Sequence, residues 1–375
     1  LKTRRITSGK YIAGFEQAVA RTHGVKYAIF CNSGTSALQV SVHALKREYL
    51  WNDGDEVIVP ALTFVATINV VLQNNLKPVF VDVDPDFFDI NPALIEAKIT
   101  SKTRAIIPVH IGGQPADMDK IIKIAKKHKL KIIEDSCETM FAKYKGKPVG
   151  SFGDYACLST YAAHTLVTGV GGFILTNNHQ LAVVAKSLVN HGRDGIYITI
   201  DDDRNKKNKE LFNIVNRRFL FTDVGYSYRA TEFEGALGLA QMKDWRNLIR
   251  ARKKNAAYLT AGLKDLQKFI QLPQIRPDSE HIFMFYPLVI IDDSINRTDL
   301  IYFLENHKIE TRYLLPLLNQ PIYQKLFGNI EDEYPTAKHL AHNGFYIGSH
   351  PGLTRTQMDY VIEKFHEFFE KKKSG

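Results

Sequence analysis

Cysteine is scarce in this chain: three residues, Cys31, Cys137 and Cys157, among 375, with no CxxC pair. From this chain alone, that excludes a disulfide framework, a four-cysteine zinc site and a four-cysteine iron–sulfur cluster. No metal centre is expected. Long apolar runs are lacking too, so no bilayer span is expected. The opening LKTRRITSGK is polar and shows no secretory pattern. With the unpaired thiols, this makes the cytosol the expected location. No GK[ST] completes a Walker motif, and there is no internal repeat or low-complexity tract. Concentrated charge is also missing. The formal net charge is +9, yet Lys and Arg are spread along the chain in short groups such as Lys126-Lys127 and Lys371-Lys372-Lys373. A solvated basic surface is the plain reading, and a nucleic-acid partner is not expected. A basic cleft for a phosphorylated or nucleotide-linked substrate is the alternative.

What is present is a long, ordinary globular composition. The hydrophobic content of 45% over 375 residues supports two domains, or one large and one small. Strand and helix patterns alternate through the first two thirds. The strands VKYAIFCN (25–32), EVIVP (56–60), KPVFVDV (77–83), RAIIPVH (104–110) and KIIED (131–135) are separated by segments of helical spacing, with a further helix beginning near Asn91. GGFILTN (171–177) reads as a strand returning to the sheet. This repetition predicts an α/β fold with a mainly parallel sheet and helices on both faces. The charged stretch IDDDRNKKNKELF (200–212) is expected to be an exposed excursion. The basic helix beginning RNLIRARKK is expected to cross from a large domain, residues 1–248, to a smaller α+β domain, residues 249–375.

Ligands of such sheets sit beyond the carboxyl ends of the strands, and several special residues fall there. Ser33-Gly34-Thr35 lies between a strand and a helix. Backbone amides there suit an anion, although an N-cap and tight turn would use the same residues. Asp135 ends a buried strand, where an ionised carboxylate needs a partner. That partner is either a nearby cation or helix cap, or a protonated pyridine nitrogen. His164 stands five residues after Ser159 and shortly before a glycine-rich turn.

The segments FEQAVARTHGVKYAIFCNSGTSAL (15–38), GDEVIVPALTFVAT (54–67), VHIGGQPADMD (109–119), IIEDSCETMFAKYKGKPVGSFGD (132–154) and DVGYSYRATEFEGALGLAQM (223–242) follow one another in the order seen in a known family. Together they resemble the DegT/DnrJ/EryC1/StrS family of pyridoxal-phosphate (PLP) sugar aminotransferases and dehydratases. The resemblance implies the aspartate-aminotransferase-like PLP fold type I, with a seven-stranded mixed sheet, a small C-terminal domain and a homodimer that shares its active sites. It implies that Gly34, Thr35 and Ser159 meet the cofactor phosphate and that Phe64 stacks on the pyridine ring. Asp135 would pair with the ring nitrogen, and Glu138 would lie near the phenolic oxygen. Ser227 stands where the family often has an asparagine that reaches the neighbouring subunit's phosphate.

One departure carries the functional expectation. Aminotransferases of the family place a lysine five residues after the serine. Here the run is Ser159-Thr-Tyr-Ala-Ala-His164, and imidazole cannot form the imine that lysine forms. The family's C-3 dehydratases, which use pyridoxamine phosphate (PMP), carry that replacement. EDSCE (134–138), TRYLLPLLNQP (311–321) and FYIGSHPGLT (345–354) resemble their motifs. With three cysteines, the chain is similar to the cluster-free type of the GDP-colitose pathway, which renews PMP from glutamate. The resemblance therefore implies non-covalent PLP/PMP, a nucleotide-linked 4-keto-6-deoxyhexose as substrate, glutamate as amino donor, and His164 as acid and base. An aminotransferase and a non-catalytic sensor or scaffold are the alternatives. Val170, where dehydratases commonly carry glutamate, and Ser227 are the departures that favour the last.

Overall fold

A computed structural model describes residues 5–194 and 205–373. Strands β1 (Tyr27–Cys31), β2 (Glu56–Pro60), β3 (Lys77–Val81), β4 (Thr103–Ile106) and β5 (Lys131–Asp135) belong to the main sheet. The short β6 (Lys143–Tyr144) and β7 (Lys147–Pro148) leave it, and β8 (Tyr155–Ser159) and β9 (Gly172–Thr176) complete it. The main sheet has seven strands in the order β1-β9-β8-β5-β4-β2-β3. Every pairing is parallel except the two made by β9. The expected sheet is therefore present, with β9 as its reversed member.

Helices α1 (Lys10–His23), α2 (Gly34–Glu48), α3 (Val65–Gln73), α4 (Met118–His128) and α5 (His179–Val189) cover the sheet. All five β2 residues are buried, as a parallel strand covered on both sides requires. Alternation along it divides two cores: Val57 and Val59 pack with Leu38 and Leu45 of α2, while Ile58 packs with Met118 and Ile121 of α4. β5 does the same, with Ile133 on the first side and Ile132 on the second.

Beyond these lie α6 (Asn208–Arg217), α7 (Glu232–Gln241) and α8 (Trp245–Gly262). A second sheet follows, formed by β10 (Ile270–Gln271), β12 (Phe285–Ile290), β13 (Thr311–Tyr313) and β14 (Gly344–Gly348) in the antiparallel order β10-β12-β14-β13. β11 (Ser279–Glu280) instead pairs with β6. Helices α9 (Arg297–Asn306), α10 (Pro321–Phe327), α11 (Pro335–Asn343) and α12 (Arg355–Lys373) complete this part. Ala256 and Leu259 of α8 pack into a core with Leu288, Phe345 and Phe365, so α8 does lead into the second sheet.

The helix expected near Asn91 is not an α-helix. Two single 3₁₀ turns stand there, Pro92–Leu94 and Glu96–Lys98. Pro92 and Ile95 are both buried, and the three-residue repeat of 3₁₀ geometry keeps them on one side. Of the charged stretch 200–212, residues 200–204 lie outside the described residues. From Asn208 it forms α6, and no residue of α6 is buried.

The strand directions bring the carboxyl ends of β1, β5 and β8 to one edge, where the reversed β9 begins. There Ser159 and Cys31 each pair with Gly172. A Cβ on Gly172 would overlap the backbone of Ser33 and Gly34. Replacing Gly172 with Ala should therefore cost about 1–3 kcal/mol by overpacking. Gly348→Ala, which would place its methyl in open space, should leave stability nearly unchanged. Urea denaturation of the two variants checks this, and an unaltered midpoint for the Gly172 variant would refute it.

Candidate active site

β1 ends at Cys31, and α2 begins at Gly34 with Ser33 as its cap. Ser33 Oγ accepts from Ser36 N–H at 3.0 Å, and Ser33 C=O accepts from Ala37 N–H at 3.1 Å. Gly34 and Thr35 are the first two residues of α2, whose amides have no acceptor within the helix, and partial positive charge at such a start favours an anion. Thr35 is exposed and Gly34 buried. A Cβ at Gly34 would lie 2.8 Å from both Cys137 Sγ and Ser159 Cβ, so only glycine lets this turn sit against the end of β8. The capped turn is thus made by the residues that the resemblance assigns to the cofactor phosphate.

Asp135 closes β5 and is buried. Thr67 Oγ1 donates to its Oδ2 at 2.8 Å, and Thr63 Oγ1 lies 3.1 Å from Thr67 Oγ1. Since Thr67 gives its proton to Asp135, Thr63 donates to Thr67. Cys137 N–H reaches Oδ1 at 3.3 Å. Among the described residues no Lys or Arg pairs with Asp135. Burial pushes its carboxyl above the usual range, against the bonds from Thr67 and Cys137. A cationic N–H donor is what this carboxylate lacks. Phe64, one turn before Thr67, presents a ring that is 58% exposed.

Glu138 accepts from Gly112 N–H at 2.7 Å. Burial, with the neighbouring Asp135 as a further cause, raises its carboxyl to about 7. Glu134 is different in kind. His110 and the amides of Gly150, Phe152 and Gly153 all reach it. That buried cluster holds the loop after β5 and leaves no group free for chemistry.

His164 sits in the loop that Thr160 and Thr168 close with a 2.6 Å hydroxyl contact. It lines a cleft of about 910 Å³ between the two sheets, together with Arg252, Met284, Arg312, Tyr346 and His350. Burial, then the guanidinium of Arg252, lowers its imidazole to about 4. It is therefore neutral at pH 7. Ser227 stands apart: it is exposed and accepts from Arg229, which also meets His191 Nε2 at 3.1 Å.

A model of the DegT/DnrJ/EryC1/StrS aminotransferase family matches residues 1–366. The chain belongs to this family. It is 34% identical, over 98% of its length, to dTDP-4-dehydro-2,6-dideoxy-D-glucose 3-dehydratase of Saccharopolyspora spinosa, 82% of which is covered. It is 35% identical, over 94% of its length, to GDP-perosamine synthase of Caulobacter vibrioides, 89% of which is covered. It also resembles the solved structure of E. coli GDP-4-keto-6-deoxy-D-mannose-3-dehydratase with bound hydrated PLP. That match has a TM-score of 0.86 and 28% identity and covers 97% of this chain and 93% of that one. The architecture is accordingly the PLP fold type I of a PLP-dependent family of enzymes.

Several site residues escaped the sequence reading. Thr67 could have been found, because it lies one helical turn after Thr63 in the segment that carries Phe64. Arg252 and Met284 could not, because they reach His164 from far along the chain and no local motif marks them.

The lowered imidazole of His164 has a consequence for stability. Its folded value, about 4, lies below the roughly 6.5 of an unfolded histidine. Below about 6.5 the unfolded chain takes up a proton that the native chain refuses. Stability is therefore lost as pH falls toward 4. His164→Asn should lose less stability between pH 7 and 4.5 than the parent chain in denaturant titrations. Equal losses would show that the ring is not held neutral.

Proposed function

We propose that this chain is a C-3 dehydratase of a nucleotide-linked 4-keto-6-deoxyhexose. It holds PLP/PMP without a covalent bond and uses glutamate as amino donor. The observation that carries the reading is His164: a neutral imidazole in the interdomain cleft, in register with the lysine of the aminotransferases. The cradle fits the cofactor. Amides of Gly34 and Thr35 with the Ser159 hydroxyl suit its phosphate, Phe64 its flat ring, and Asp135 its protonated nitrogen. Glu138, titrating near neutrality, suits the phenolic oxygen, to which it can donate or from which it can accept.

When bound, PMP supplies an amine for the C4 ketone and a pyridinium that takes up electrons. Asp135 keeps that nitrogen protonated, because a cation beside a buried carboxylate offsets the cost of its charge. Thr63 and Thr67 aim the carboxylate. His164 begins neutral and takes a proton as general base. Its protonated form, which burial and Arg252 disfavour, is a strong acid that passes the proton to the departing C3 oxygen as water leaves.

An aminotransferase would need an amine where His164 stands, and the lysine lining the cleft is Lys308, exposed beside β13. A non-catalytic scaffold would draw on Val170 and Ser227. Val170 is 49% exposed and Ser227 is exposed in the single chain. We assign them to a homodimer contact. The neighbouring surface offers Tyr161, Phe219, Phe221 and Phe233, each more than 45% exposed. The free thiols Cys31, Cys137 and Cys157 suit the reducing cytosol.

His164→Asn should lower dehydration by about 100-fold or more, the lower bound for losing a general acid–base group, while PMP still binds. His164→Lys should hold PLP covalently, in a borohydride-reducible form with a visible absorption band, and lose dehydration. Near-normal dehydration by the Asn variant would remove His164 from the chemistry.

A further inference from the structure

Catalytic histidines are usually aimed by a carboxylate or carbonyl on the second ring nitrogen. His164 has neither. Its Nδ1 lies 3.4 Å from Met284 Sδ, and no Asp or Glu among the described residues bonds to the ring. A thioether carries no hydrogen, so this contact is a hydrogen bond only when Nδ1 holds the proton. The other tautomer would set two lone pairs against each other.

Met284 is itself held from several sides. Arg252 Nη1 donates to Met284 C=O at 2.7 Å and to Phe283 C=O at 3.3 Å. Ser349 Oγ donates to the same Phe283 C=O at 2.6 Å. Met284 N–H donates to Gly112 C=O at 2.9 Å, and Ile282 N–H to Gly113 C=O at 3.0 Å. Phe283 N–H donates to His281 Nδ1 at 2.9 Å, a ring that burial keeps neutral. A Cβ on Gly113 would lie 2.6 Å from Phe283 N, and one on Gly112 would lie 2.5 Å from the Phe285 ring. The 281–284 segment is therefore clamped between the loop after β4 and helix α8. Gly112 also donates to Glu138, so one chain of bonds runs from Glu138 through Gly112 and Met284 to His164.

We propose that Met284, clamped by Arg252, is the positioning residue that fixes His164 as its Nδ1–H tautomer and leaves Nε2 bare to accept a proton. The catalytic use of that nitrogen rests on the dehydratase reading; the tautomer does not. A neutral sulfur aims the ring without stabilising its protonated form, as a carboxylate would. Arg252 adds a positive charge that opposes protonation. The other charged or titratable groups on the cleft are Lys308, Glu310 and Arg312 at β13, Tyr346 on β14, His350 beyond it and Tyr360 on α12. Burial, then Arg252, also lowers His350.

The test is nitrogen-15 NMR of the full chain labelled at histidine, with and without PMP. In the parent chain His164 should be the Nδ1–H tautomer and should titrate near 4. Met284→Leu keeps the volume and removes the acceptor. It should shift the ring toward Nε2–H, lowering the bare-Nε2 population and kcat about 5-fold, the worth of one ordinary neutral hydrogen bond, with KM little changed. Arg252→Gln should raise the His164 titration. Arg252→Lys, which keeps the charge but loses the fork, should loosen the tautomer without raising it. An Nε2–H tautomer in the parent chain overturns the proposal, as does an Nδ1–H tautomer indifferent to Met284→Leu. Because the spectra need no substrate, failure of the dehydratase reading would show separately, in the product and not in the tautomer.

Discussion

A buried carboxylate with no cation beside it is the constraint on which the site depends. Asp135 ends a parallel strand, where β1, β5 and β8 deliver their last residues to one edge and β9 starts back from it. Burial raises its pKa, and two hydrogen-bond donors only partly offset this. Such a group is expensive in a finished structure, and the protonated ring nitrogen of the proposed cofactor would offset that cost. The sheet supplies the rest of the cradle by the same geometry. The capped start of α2 offers free amides beside Ser159, and the turn into α3 offers Phe64 and the two threonines that aim Asp135.

At His164 the electrostatics run the other way. His164 is held neutral by burial and by the Arg252 charge, and it is oriented by an uncharged sulfur. A carboxylate that wants a cation and an imidazole that resists becoming one face different parts of one reaction. In the proposed reaction the first would keep an electron-accepting ring charged, and the second would move a proton. Separating two titrating groups by their environments assigns their roles, as in other acid–base sites. A lysine in place of His164 would instead tie the cofactor to the chain.

Much of this was legible in the sequence because it is local. EVIVP and KIIED read as buried strands because each alternates between two apolar cores. The SGT turn, Asp135 and the Ser159–His164 spacing each lie within one strand–turn unit. The helix expected near Asn91 failed because its apolar residues repeat every three positions, which suits 3₁₀ turns. The roles of Arg252 and Met284 were not legible, because they exist only once the second sheet closes on the first. The reversed direction of β9 followed from no pattern in GGFILTN, although it sets Gly172 against the turn at Ser33 and Gly34.

The product of the reaction separates a dehydratase from an aminotransferase. Mass spectrometry of the chain with PLP, glutamate and a panel of nucleoside-diphosphate 4-keto-6-deoxyhexoses would show which bond is broken. The account predicts a 3-deoxy-4-keto sugar from at least one panel member, with ammonia released and glutamate consumed. An amino sugar, or no turnover of any member, would contradict it.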